Sequence, residues 1–189
     1  MVPEMAPTDT ELVAAARAKK PWAQEALFKR YARMVNGLAY RLMGRDGDVD
    51  DLVQDAFFAA FDQLDRLKDP EAFSSWIGSI VVRTAHKRLR RRQLMRRLGL
   101  LDEAPEVESM VSEALAPDQA AEVRRLYSVL DRLAPEARIA LVLRRVEELS
   151  IPEIAAQMNL SVATVKRRLE QAERELDREI VERRVRVPS

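Results

Sequence analysis

The stretch SIPEIAAQMNLSVATVKRRLEQAERELDREI, residues 150–180, decides how the chain is read. Ser150 followed by Glu153 has the form of a capping box, with Pro152 in the first helical turn. Ile154, Ala155 and Met158 then share one side, Asn159 and Leu160 make a short turn, and Ser161 stands where it caps a second helix. A short helix, a tight turn and a second capped helix is the helix-turn-helix layout. In the second helix Val162, Val165, Leu169, Ala172, Leu176 and Ile180 fall on the side expected to pack, while Ala163, Thr164, Lys166, Arg167, Glu170, Gln171 and Arg174 face outward. An ordinary helical hairpin shares this spacing. The outward residues of the first two turns are nevertheless small, hydroxylic or cationic, as close approach to base edges and phosphates requires. Glu170, Glu173, Glu175, Asp177 and Glu179 come later, beyond the N-terminal turns that enter a groove, and leave few phosphate contacts to this helix.

Composition narrows the class. The 189 residues are 47% hydrophobic and 33% charged, with only 5 Gly and 5% aromatics, which predicts an all-α globular chain. At that length it is one large domain or two small ones. No apolar run reaches the roughly 18 residues of a bilayer span, and the N-terminus lacks a signal-peptide pattern, so a cytoplasmic location is expected. With no Cys and one His, thiolate chemistry, disulfides and Cys/His zinc sites are excluded. The formal net charge of +1 hides a segregation. RTAHKRLRRRQLMRR (83–97) has eight Lys or Arg and no acid, whereas LDEAPEVESMVSEALAPDQAAE (101–122) has seven acids and no base. Segregated charge of this kind favours a polyanionic partner at the basic part, a solvated helix end being the plainer reading.

Along the chain, Thr8 and Glu11 form another capping box, and two helices are expected to meet at residues 19–22 and to end near MGRDGD. DVDDLVQDAFFAAFDQLDRL is the most regular helix: Val49, Leu52, Val53, Ala56, Phe57, Ala60, Phe61 and Leu64 repeat at helical spacing. Its other face carries Asp50, Asp51, Gln54, Asp55, Phe58 and Asp62, so Phe58 is an aromatic among carboxylates, which suits a protein interface. Asp69 and Pro70 start the next helix, with Phe73, Trp76, Ile77, Ile80, Val81, Thr84 and Leu89 on its apolar side and a basic rod at its end. Residues 98–118 read as a linker, followed by helices over 121–133 and from Pro135 to about Glu147.

Together these residues resemble the extracytoplasmic-function (ECF) group of bacterial RNA polymerase sigma factors. DVDDLVQDAFFAAFDQLDRLKDPEAFSSWI is similar to the family's region 2, and LDRLAPEARIALVLRRVEELSIPEIAAQMNLSVATVKRRL to its region 4. The resemblance implies an all-α protein of two small helical domains: region 2 over residues 8–97, an acidic linker over 98–120, and region 4 over 121–184. It implies binding to the polymerase core, through the beta-prime clamp helices and the beta flap, and to promoter DNA, with an anti-sigma partner. Asp50, Asp51, Gln54, Asp55 and Phe58 correspond to the core-docking face. Lys68, Trp76, Arg83, Lys87, Arg88, Arg90 and Arg91 correspond to residues that meet the minus-10 element, the loop 65–73 to the element that captures a flipped base, and Ser161, Thr164, Lys166, Arg167 and Arg168 to those that meet the minus-35 element. The chain departs from common family residues at Arg83 (often Asn), at Arg145 and Glu148 (an aromatic and Gly), and at Glu170 and Glu173 (His or Arg).

On this reading the chain performs no chemistry, and neither cofactor nor metal is expected. A stand-alone helix-turn-helix regulator would account for residues 161–168 but leaves the acidic, Phe58-bearing helix without a role. Asp50, Asp51 and Asp55 diverge on a helix exterior rather than converge on a metal. GRDG at 44–47 has the form of a KH loop but no neighbouring strands, and His86 lies among cations with no carboxylate at helical spacing, which predicts a surface or backbone-contacting residue rather than a base.

Overall fold

The computed structural model describes residues 6–44, 46–100 and 117–186, which are helical with short connections. Most of the expected linker, residues 101–116, lies outside the described residues. The order is α1 (Asp9–Arg17), α2 (Pro21–Met43), α3 (Asp46–Asp62), α4 (Phe73–Arg97), α5 (Pro117–Arg132), α6 (Pro135–Arg145), α7 (Ile151–Met158) and α8 (Val162–Arg186).

Local chemistry sets the boundaries. Both expected capping boxes form, Thr8 with Glu11 and Ser150 with Glu153. Helix α2 starts on Pro21 and stops at Gly44, whose φ of 69° is the left-handed conformation a side chain would strain. Asn159, at φ 53°, closes α7 in the same way. Ser161 Oγ accepts from the Thr164 amide at 3.1 Å, answering one of the free amides that open α8.

Helices α2, α3 and α4 pack on one another, with α1 laid against α2. Val49, Leu52, Ala56, Phe57, Ala60 and Leu64 of the expected α3 stripe are buried, and the face opposite is exposed, Phe58 at 63%. Helix α1 anchors the loop between α3 and α4. The Arg17 guanidinium donates to the Leu64 carbonyl at 3.3 Å and also to that of Leu67, and the Thr10 hydroxyl donates to Glu71 at 2.6 Å. Tyr31 donates to Asp9 from α2, and burial together with that carboxylate pushes the phenol up to about 12.

The two halves of the chain share one large hydrophobic cluster, beside a smaller one of Leu130, Leu133, Ala137, Leu141 and Ala172 within the second half. Ile139, Ala140, Val142 and Leu143 of α6, Ile154 and Ala155 of α7, and Val165 and Leu169 of α8 join the same cluster as the residues of α1 to α4. Helix α6 is therefore apolar and buried almost all round, as a helix enclosed on several sides must be. Gly78 of α4 lies against α7: a Cβ there would sit 3.9 Å from the Gln157 amide nitrogen. This second apolar side of α4, with Val82 and Ala85 also buried, is absent from the stripe expected from sequence, which took in only packing within the first half.

One charge is enclosed in this junction. Arg138 of α6 is 1% exposed. Its Nε donates to the Leu42 carbonyl at 2.8 Å and its Nη2 to the Met43 carbonyl at 2.9 Å, satisfying two acceptors left over at the end of α2. Its Nη1 donates to Asp131 of α5, which also accepts from Arg96 of α4 at 3.0 Å. An ion pair from Arg41 of α2 to Glu147 lies nearer the rim.

Candidate nucleic-acid interface

The acidic face of α3 and the basic length of α4 bound one groove of about 950 Å³, lined by Asp48, Asp51 and Asp55 on one side and by cations of α4 on the other. The two sets engage each other. Arg88 pairs with Asp55 and reaches Asp51 at 3.9 Å, and Arg92 pairs with Asp48. Asp51, Asp55 and Arg88, assigned from sequence to two separate surfaces, thus meet within one. Asp50, Gln54 and Phe58 remain exposed on α3. Arg83, Lys87, Arg90 and Arg91 are exposed on α4, Arg83 with a 3.0 Å hydrogen bond to Ser79 Oγ. Burial lowers the Arg83 pKa.

At the start of α4, Trp76 is half-buried with its ring 5.8 Å from that of Phe73, which in turn lies 5.0 Å from Tyr31. Lys68 is exposed in the preceding loop, whose two short 3-10 turns are held by Arg17 and Asp69. Arg17 and Thr10 were not singled out in the sequence. Their signal is a cation and a hydroxyl on the polar side of a helix, which is commonplace until the loop is seen beneath them.

In the helix-turn-helix, Ser161, Lys166 and Arg167 are exposed and Thr164 is partly so, its hydroxyl 2.9 Å from that of Ser161. Arg168 is drawn inward: its Nε donates to Glu136 of α6 at 2.6 Å and its Nη1 to Gln171 at 3.3 Å. Val162, expected on the packed side, is 43% exposed. It occupies the first position of α8, a turn before Val165 begins the buried run.

Two departures from the family pattern explain each other. Arg145 donates to Glu173 at 2.9 Å, tying the end of α6 to α8, so a cation and an acid stand together where neither is common. Glu148 has φ 57°, the left-handed region in which glycine is ordinarily found. Relief of a strain of about 1–2 kcal/mol, set against the roughly 0.5–1 kcal/mol that glycine costs in chain entropy, makes Glu148→Gly stabilising by about 0.5–1 kcal/mol. Urea denaturation reads this directly, and a destabilised variant would show that the Glu148 side chain contributes more than its backbone costs.

His86 lies where α4 meets α6, with Nε2 3.8 Å from Glu136. Burial pushes its pKa down, against an opposing pull from Glu136 and with help from Arg90. A histidine whose folded pKa is depressed loses stability as pH falls below its unfolded value of about 6.5, because the unfolded chain takes up the proton first. Stability should therefore decline on acidification from about pH 7.5 to 5.5, and His86→Phe should flatten that decline. An equal decline in the variant would assign the effect to other groups.

Sequence relationships agree with this geometry. The family model for Sigma-70 region 2 matches residues 27–95, and that for Sigma-70 region 4 matches residues 123–176. The ECF RNA polymerase sigma-E factor of Escherichia coli K12 is 32% identical over 181 residues, covering 92% of this chain and 94% of that protein. The ECF RNA polymerase sigma factor SigE of Mycolicibacterium smegmatis is 31% identical over 156 residues, and the match spans 59% of its length. Among solved structures, CnrH in complex with the cytosolic domain of CnrY superimposes with a TM-score of 0.61 at 27% identity, over 92% of this chain and 97% of that one. RpoE of Bartonella quintana, in complex with the anti-sigma factor NepR, has the same fold, with a TM-score of 0.61 at 18% identity over 82% of this chain and 94% of that one. Two sigma regions in order, a helix-turn-helix in the second and near-complete coverage of an ECF relative place the chain in the extracytoplasmic-function family of RNA polymerase sigma factors.

Proposed function

We propose that this chain acts by binding core RNA polymerase, carrying it to a promoter and helping to open the duplex, without catalysing a reaction itself. The observation that carries the proposal is the placement, within one helical unit, of an exposed aromatic among carboxylates on α3 directly beside the cationic length of α4. Such a unit joins a protein partner to a nucleic acid. Asp50, Gln54 and Phe58, with Asp51 and Asp55 beside them, form the docking face for the beta-prime clamp helices, and the second unit meets the beta flap. Lys68, Trp76, Arg83, Lys87, Arg90 and Arg91 meet the minus-10 strand. A base leaving the stack costs a few kcal/mol, which contacts in the anchored 65–73 loop and along the cationic helix offset.

Ser161, Thr164, Lys166 and Arg167 meet the minus-35 element from the first turns of α8. Arg168, held by Glu136, supports that helix more than it grips phosphate. The solved relatives bound to CnrY and NepR support an anti-sigma partner for this chain too. No described helix is long and apolar enough to cross a membrane, which fits a place of action in the cytoplasm beside polymerase.

Run-off transcription with purified core polymerase on a pool of promoter fragments tests the proposal. Transcripts that depend on this chain are expected, and their upstream sequences will show which elements are read. A chain that shifts duplex fragments alone but supports no transcript would instead be a stand-alone regulator.

A further inference from the structure

The cations of α4 are not equivalent. Arg88, Arg92 and Arg96 stand four residues apart and therefore on one stripe, and each is already paired: Arg88 with Asp55 and Asp51, Arg92 with Asp48, and Arg96 with both the carboxylate and the carbonyl of Asp131. Their side chains are only 25%, 11% and 24% exposed. Arg83, Lys87 and Arg91 form the neighbouring stripe, also at intervals of four, exposed and paired with no carboxylate among the described residues.

We propose that the basic length of α4 is divided between two duties: Arg83, Lys87 and Arg91 hold the backbone of the DNA strand, whereas Arg88, Arg92 and Arg96 are positioning residues that fix α4 against α3 and α5. The proposal rests on the sigma reading and assigns Arg88 a role different from its neighbours.

The physical distinction is electrostatic. A cation free in solution that neutralises a phosphate releases a counterion, and for a single strand each such contact adds about 0.7 to the slope of log affinity against log salt. A guanidinium held between carboxylates must first give up those partners, so it adds little to the slope. What it supplies is orientation: α3 presents the docking face and α4 the strand-binding face, and the Arg88 to Asp55 and Arg92 to Asp48 pairs set the angle between them. The pairs also leave Asp51 and Asp55 partly neutralised, so the docking face relies more on Phe58 and on the carboxylate of Asp50.

Two measurements on the full chain separate these duties. Urea denaturation of the free chain needs neither polymerase nor DNA. In the second, a labelled dT20 strand is titrated with the chain assembled on core polymerase, and anisotropy is followed from about 50 to 200 mM salt. The triple variant Arg83→Ala, Lys87→Ala, Arg91→Ala should keep its urea midpoint and lose about 2 from the salt slope. Arg88→Ala should lower the urea midpoint and weaken dT20 binding equally at every salt concentration, leaving the slope intact.

The charge swap Arg88→Asp with Asp55→Arg is read on the free chain, because Asp55 belongs to the docking face; an arginine at 55 can pair with an aspartate at 88 and with Asp51. The urea midpoint lost in Arg88→Ala should return if Arg88 positions the helix, and a midpoint that stays low overturns the proposal. A slope reduced by Arg88→Ala as much as by Arg91→Ala overturns it equally. Failure to assemble on polymerase would count against the sigma reading, while the urea comparison would still report on the pairing.

Discussion

Arg138→Ala lowers the stability of the chain by about 3–5 kcal/mol, the cost of removing one partner from an ion pair closed off from water. The size of the effect follows from the three acceptors that one guanidinium satisfies. Without it Asp131 keeps Arg96 and the charge of Arg92, and the Leu42 and Met43 carbonyls at the end of α2 are left facing an apolar junction. Lys at this position fares little better, since an ammonium cannot reproduce the planar fork that spans two carbonyls and a carboxylate. The double variant Asp131→Leu with Arg138→Met should recover part of the stability, because no unpaired ionised group then remains enclosed. Urea denaturation checks the series, and a drop below about 1 kcal/mol for Arg138→Ala would mean that water reaches the junction.

Acid acts on the same site. Burial raises the Asp131 carboxyl, but Arg138, Arg96 and Arg92 together pull it below the ordinary carboxylate value. The stabilisation it provides is therefore complete above an unfolded pKa of about 3.9 and drains away as pH falls through the lower, folded value.

The second large effect belongs to the docking face. Phe58→Ala should weaken binding to core polymerase by roughly 30-fold, about 2 kcal/mol, as an exposed aromatic at the centre of a partner surface does when truncated. The same change should leave the urea midpoint within about 0.5 kcal/mol, because the residue is 63% exposed. Binding of labelled variant to core measures the first quantity. Undiminished affinity would remove Phe58 from the interface and leave the carboxylates of α3 to account for docking alone.

Much of this architecture was legible in the residues. The two capping boxes, the Asn159 turn and the stripe from Val49 to Leu64 are local signals, each decided by neighbours within a few positions, and each is found where the sequence puts it. What escaped is what depends on the distant half of the chain. Gly78 and Val82 are buried by α7, and nothing in the spacing of α4 announces a second apolar side. Arg138 has the appearance of a surface cation because its partners are the end of α2 and the end of α5, brought to it only by the fold. The candidate site divides in the same way. Residue types and their faces were readable, but that Arg88 and Asp55 consume each other's charge depends on the packing angle of α3 on α4, and the inward turn of Arg168 depends on Glu136.

The shared core that joins the two sigma regions has a consequence for distance. A compact body of this chain length has a radius of gyration of about 16 Å, so it is roughly 40 Å across. The minus-10 and minus-35 elements, about 25 base pairs apart by their names, lie about 85 Å from each other along B-form DNA at about 3.4 Å per step. A chain folded as one body reaches one element or the other. To touch both it must part at the junction that Arg138 seals, so the work of separating α6 and α7 from α4 is subtracted from whatever the promoter and polymerase supply.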